Sequence, residues 1–191
     1  MGILTDTDIL RMIKSGKIII KPDIDFKTQI QPGSLELRLG NEFRVFNYNR
    51  QGIIDTKDFK TNLNNTELIS VAEGDPFIIQ PNELVLGTTY ESIELPADLV
   101  GWIEGRSSYA RIGIMIHVTA GFIHPGSAGK QTLEISNMSK LPVKLYPGTR
   151  ICQIIFQTTE SPASILYKNK KDAKYAYLSG PDASKIFMEK N

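Results

Sequence analysis

The feature that most limits this chain is a series of short, apolar-rich segments, several of them closed by proline-containing corners. Ser34-Leu35-Glu36-Leu37-Arg38-Leu39 alternates with period two, the repeat of a pleated strand. Phe77-Ile78-Ile79, Leu84 to Thr89, Ile114 to Val118, Thr132 to Ser136 and Ile151 to Phe156 read as further strands. Pro32-Gly33, Pro81-Asn82, Pro125-Gly126 and Pro147-Gly148 supply the corners, since proline presets φ and glycine or asparagine tolerates left-handed backbone. A chain punctuated in this way folds back on itself as many short strands. The expected class is mainly β, a distorted jelly roll or β-barrel. One short helix is expected at the start, from Ile3 to Gly16. Thr5 or Asp6 can cap it, Ile9, Met12 and Ile13 form its apolar face, and Gly16 can close it.

A chain of 191 residues supports one core rather than two, so residues 1–191 are expected to form a single domain. Lys and Arg number 22 against 21 Asp and Glu, a net charge of +1. No overall field then draws the protein to nucleic acid or to a membrane, and any anion site must be local. Cys152 is the only cysteine and lies in an apolar run, which reads as a buried thiol in a reducing compartment. With one cysteine and two histidines, neither a zinc site nor any other protein-held metal is expected. No apolar run approaches a membrane span and no signal-peptide core opens the chain, so the expected location is cytoplasmic. The polar stretch from Arg50 to Asn65 reads as a surface excursion. From about residue 163 to 191 the chain reads as a tail. Its basic, aromatic stretch Lys168 to Tyr177 is either solvated or a flap that orders over a phosphorylated ligand.

The densest chemistry lies in Gly105-Arg106-Ser107-Ser108-Tyr109-Ala110-Arg111. Guanidinium groups make bidentate, charge-assisted bonds to phosphate oxygens, and serine hydroxyls add neutral ones. Downstream, Thr132-Leu133-Glu134-Ile135-Ser136 turns Leu133 and Ile135 to one face and Glu134 to the other. A mid-strand carboxylate is either solvated or used. A highly anionic small substrate with one base at its reacting end fits both segments.

These motifs resemble the deoxycytidine triphosphate (dCTP) deaminase family, within the trimeric dUTPase-like superfamily. Leu95-Pro96-Ala97-Asp98-Leu99-Val100-Gly101-Trp102 followed by Gly105 to Gly113 is similar to the family's first signature. His117-Val118-Thr119-Ala120, then Gly129-Lys130-Gln131-Thr132-Leu133-Glu134, occur at the family's spacing, and Asp172-Ala173-Lys174-Tyr175 resembles its C-terminal signature. The opening, Gln31 to Gly40, is similar as well. The resemblance implies a dUTPase-like fold and a zinc-independent hydrolytic deamination of dCTP to dUTP and ammonia, at a cyclic amidine C–N bond. Mg2+ would ride on the triphosphate, and sites would form between subunits of a homotrimer.

Carried over, Glu134 would be the general base that activates water, with Ser107 and the Ala120 backbone holding water and amino group. Arg111 would stabilise charge at the reacting centre. Arg106 and Ser108 would face or support the phosphates, and Tyr167 and Lys174 would reach them from the tail. Thr119, Gly121, Phe122, His124 and Gln153 complete the expected nucleotide-binding set. His117 and Val118 are either structural or the segment through which dTTP inhibits.

The chain departs from the family at three places. Relatives usually carry aspartate where His124 stands and a large aromatic where Ser127 stands, and glutamine is usual where Leu178 stands. Gly121-Phe122 resembles the bifunctional members, which hydrolyse the resulting dUTP to dUMP and diphosphate. His124 weighs against that second step, because an imidazole does not copy a carboxylate acceptor. The expected product is therefore dUTP, with bifunctional dUMP formation and a non-catalytic nucleotide-binding relative as alternatives. If His117 and Val118 are regulatory, dTTP should depress dCTP turnover, and an unchanged rate across a dTTP titration would dismiss that role.

Overall fold

The computed structural model describes residues 2–47, 56 and 66–188. The expected surface excursion, 50–65, therefore lies outside the described residues apart from Thr56. In chain order the elements are α1 (Asp6–Lys14), β1 (Ile19–Lys21), α2 (Phe26–Gln29), β2 (Ile30–Gln31), β3 (Ser34–Arg38) and β4 (Glu42–Phe46). They continue with β5 (Thr66–Ser70), β6 (Phe77–Ile79), β7 (Leu84–Glu94), β8 (Leu99–Gly105), α3 (Ser107–Ala110) and β9 (Ile114–Met115). The last strands are β10 (Phe122–Ile123), β11 (Ala128–Asn137), β12 (Val143–Leu145) and β13 (Arg150–Thr158).

One sheet runs β5-β4-β7-β11-β9, with β1 also paired to β7, and a second runs β10-β8-β13-β3-β2. β6 and β12 form a small third ladder. Every pairing between these strands is antiparallel. The mainly β, double-sheet architecture expected from the alternation is the one observed, with the short helix at the N-terminal end. All four proline corners are turns, and Pro32-Gly33 joins β2 to β3, where Gln31 pairs Ser34. At the start of α1, Asp8 Oδ2 accepts from the Thr5 amide at 3.4 Å and from its hydroxyl at 3.1 Å.

Both sheets contribute to one apolar cluster. Leu35, Leu37, Leu133, Ile135, Ile154 and Phe156 are fully excluded from solvent, and Phe43 stacks on Phe77 at 4.1 Å. Each such side chain contributes about 1.5–3 kcal/mol through burial. Cys152 lies in this cluster, and burial pushes its thiol well above the usual range, with Glu91 and Glu36 adding to the effect.

The strands depart from the sequence pattern in three ways. β7 runs past Thr89 to Glu94, because Ile93 reaches the core while Glu91 is held by Arg38 and Gln29. β1, β2, β4, β5, β8, β10 and β12 arise where the pattern predicts no strand, and β8 contains two glycines. The expected strand Ile114 to Val118 stops at Met115. Beyond it the Val118 amide donates to the Glu134 side chain instead of a neighbouring strand.

The tail returns across the body. Tyr167 N donates to Pro125 O and Lys168 N to Gly126 O, while the Lys168 ammonium pairs with Glu94, which raises the lysine pKa. Further on, Tyr177 N donates to Ala128 O and Lys130 N to Leu178 O, both at 2.8 Å. This close crossing requires glycine at 129, whose φ is +120 and where a Cβ would lie 2.6 Å from the Leu178 nitrogen. Gly129→Ala should cost about 1–3 kcal/mol in a denaturant melt and speed proteolysis within 168–180. Unchanged values for both would show that the crossing is not tight.

Candidate functional site

Two clefts contain most of the residues singled out by the sequence. The larger, of about 490 Å³, is lined by β11, the β10 region and the tail, a size suited to a small ligand. Glu134 lies here because the pleat that buries Leu133 and Ile135 turns it the other way. Its Oε2 accepts from Val118 N at 3.1 Å, which leaves Oε1 available to a ligand. Ala120, Phe122, His124 and Tyr167 line the same cleft.

Phe122, His124 and Tyr167 form a continuous aromatic wall. The His124 ring lies parallel to Tyr167, with 5.4 Å between centroids and 9° between planes, while Phe122 meets it edge-on at 4.9 Å. Trp102 extends the wall by meeting Phe122 edge-on at 4.9 Å. Gly121 allows the backbone to pass, since a Cβ there would stand 2.8 Å from the Ile103 carbonyl and 3.4 Å from the His117 ring. His117 is half-buried: Nε2 lies 3.9 Å from Glu104, and Nδ1 is buried without a hydrogen-bond partner among the described residues. Thr119 is exposed on the loop before Ala120.

The second cleft, about 390 Å³, lies at the β2–β3 turn and the start of α3, and is lined by Arg106, Ser107, Ser108 and Gln153. The Arg106 Nε donates to Glu36 at 2.7 Å and its Nη1 to the Arg150 carbonyl at 2.7 Å. Gln153 is held from both sides: its Oε1 accepts from the Ser34 hydroxyl at 2.7 Å and its Nε2 donates to Gly105 O at 3.1 Å. Both serine hydroxyls of the Arg-Ser-Ser run stay exposed. The arrangement can bind an oxyanion through guanidinium, amide and hydroxyl donors.

The clefts share no lining residue. Within one chain, therefore, Glu134 is not in the same cleft as Ser107. Glu134 sits on the first sheet, whereas Ser107 opens the helix after β8 of the second. Arg111, the exposed C-cap of α3, and Lys174 in the tail line neither cleft among the described residues. Sequence reasoning missed Lys130, Gln131, Tyr175, Asp182 and Ser184, all on the larger cleft. It also missed Ser34 and Glu36 beneath the smaller one. The alternation of β3 was a usable signal, since it puts Ser34 and Glu36 on one face, opposite Leu35 and Leu37. Among the described residues, no group of three or more His, Cys, Asp or Glu side chains could hold a metal ion. No described helix is long and apolar enough to cross a membrane.

Comparison with known proteins shows the family. The family described as dCTP deaminase-like matches residues 3–159. The chain belongs to that family. Its members are enzymes, and the similarity extends through the tail in full-length relatives. A protein of Dictyoglomus thermophilum named "dCTP deaminase, dUMP-forming" is 48% identical over 188 residues, covering 98% of this chain and 96% of that one. A protein of Methanothermobacter thermautotrophicus with the same name is 50% identical over 187 residues, covering 97% and 94%. Among solved structures, the 2'-deoxycytidine 5'-triphosphate deaminase of Agrobacterium tumefaciens superposes with a TM-score of 0.64 at 26% identity. That superposition covers 83% of this chain and 48% of the other, so this chain spans about half the length of that solved relative.

The names of the full-length relatives overturn the expectation that dUTP is the end product.

Proposed function

We propose that this enzyme converts dCTP to dUMP, releasing ammonia and diphosphate. The similarity along nearly the whole chain to dUMP-forming relatives carries the reading. The cleft chemistry supports it, because the Glu134 carboxylate faces a small-molecule cavity beside an aromatic wall. In the first step Glu134 takes a proton from water, which adds to cytosine C4. The C4–N4 bond then breaks, and ammonia leaves with a proton returned to nitrogen. Such base catalysis supplies roughly 10²–10⁴-fold in rate. Ser107 and the Ala120 backbone hold water and amino group, and Arg111 stabilises the developing charge. In the second step a water attacks the α-phosphorus, and the bond to the bridging oxygen breaks to release diphosphate.

Arg106, Ser108 and Gln153 bind the phosphates, and Mg2+ arrives on the triphosphate to offset its charge. Thr119, Gly121, Phe122 and His124 form the wall against base and sugar. Tyr167 and Lys174 join from the tail, which serves as a cover of the same single domain. His117 and Val118 are the segment through which dTTP would act, since the Val118 amide holds the base. The protein works in the cytoplasm.

Because Glu134 and Ser107 occupy separate clefts of one chain, we assign the complete site to the junction of subunits in a homotrimer, whose symmetry would repeat it at each contact. Two experiments test this reading. Incubation with dCTP and magnesium should yield dUMP, diphosphate and ammonia, whereas dUTP accumulating without dUMP would refute the second step. Glu134→Gln should bind dCTP yet lose nearly all ammonia release, and substantial turnover would remove Glu134 from the base role. Separately, Glu134→Gln and Ser107→Ala subunits, mixed and reassembled, should recover about a quarter of wild-type activity under random assortment. No recovery above the two parents would place the whole site within one subunit.

A further inference from the structure

The smaller cleft contains a carboxylate, which is out of place where an anion is to bind. Glu36 is the only acid among its described lining residues, yet both of its oxygens are engaged. Oε1 accepts from Arg106 Nε at 2.7 Å and Oε2 from Arg150 Nη1 at 2.8 Å. The Glu36 side chain is 10% exposed and that of Arg106 24%, so the pair is shielded from most screening by water. Two guanidiniums on one carboxylate leave a net positive charge at the cleft floor. A carboxylate saturated in this way orients its arginines rather than repelling a ligand.

With Nε on Glu36 and Nη1 on the Arg150 carbonyl, the Nη2 donors of Arg106, unbonded among the described residues, remain for a ligand. Ser34, two residues earlier on the same face of β3, does the same for Gln153. Its hydroxyl fixes the amide so that one Nε2 hydrogen goes to Gly105 O and the second is left over. The strand beneath is itself anchored. Gln29 Nε2 donates to the Glu36 carbonyl and to the buried Glu91 carboxylate, both at 3.0 Å, and Glu91 also binds Arg38.

We propose that Ser34 and Glu36 are positioning residues for triphosphate recognition, setting Arg106 and Gln153 in the orientation that meets the phosphates. The inference rests on the reading of this enzyme as one that acts on dCTP. Neither residue touches the reacting atoms. Their effect should therefore fall on binding, because a donor fixed in advance loses less freedom when the ligand arrives.

The test is steady-state kinetics of Glu36→Gln, Glu36→Asp and Ser34→Ala, with inorganic tripolyphosphate as competitive inhibitor and thermal melting in parallel. Glu36→Gln should raise KM for dCTP about tenfold or more, with kcat changed less than about threefold. The inhibition constant of tripolyphosphate should rise by the same factor, which a loss confined to base recognition would not produce. Glu36→Asp, which keeps the charge, should recover part of the loss, and Ser34→Ala should raise both constants about two- to fivefold. A folded Glu36→Gln protein with wild-type KM and inhibition constant would overturn the proposal, even with a lowered melting temperature. Should Glu36→Gln not fold, unchanged constants in Ser34→Ala overturn it equally. Wild-type protein that neither turns over dCTP nor responds to tripolyphosphate would be a different failure, sinking the functional reading and this inference with it.

Discussion

The site depends on one constraint: β11 holds Glu134 still because its neighbours in sequence have nowhere else to go. Leu133 and Ile135 are fully buried, and β11 pairs with β7 through Glu134↔Leu86. Turning the carboxylate away from the cleft would require a one-residue slip of the strand, which would expose both apolar side chains. Hydrophobic burial thus fixes the direction of a charged group that makes no salt bridge of its own among the described residues. The single bond from the Val118 amide then sets the position of the carboxylate head.

The chain leaves the sheet after Met115, upstream of that bond. A backbone amide donates once in an ordinary hydrogen bond, and the Val118 amide is committed to a side chain instead of a strand. The loop so formed carries Ala120 to the cleft edge and lets Gly121 pass close beneath the Ile103 carbonyl. A segment with the composition of a strand is used here as the cradle of a carboxylate.

The second sheet shows a complementary arrangement. β3 is buried on both faces, with Leu35 and Leu37 in the apolar core and Ser34 and Glu36 under a polar cleft. Buried polar atoms are costly unless bonded, and each of these has a partner on β13 or at the end of β8. A carboxylate with two guanidiniums and a hydroxyl with an amide satisfy one another while leaving donors over. The two clefts thus differ in kind, one an aromatic-walled cavity lined by Glu134, the other a set of oriented donors.

By itself the sequence determined the local periodicities and their immediate geometric consequences. Period two in Thr132 to Ser136 requires Glu134 to oppose Leu133 and Ile135, Pro-Gly pairs require corners, and the Gly105 to Arg111 motif carries the family resemblance. Such features depend on neighbouring residues, whose geometry is set by the backbone alone. Even there, Ile114 to Val118 misled, because a strand-like pattern does not reveal that one amide is wanted elsewhere. Residues remote in sequence were settled by tertiary structure: Glu36 with Arg106 and Arg150, Ser34 with Gln153, Leu178 with Gly129, Tyr167 with His124. It also decided that Glu134 and Ser107 line different clefts. The physical reason is that strand order and register are chosen by the whole core at once, so no window of sequence contains the contacts they create.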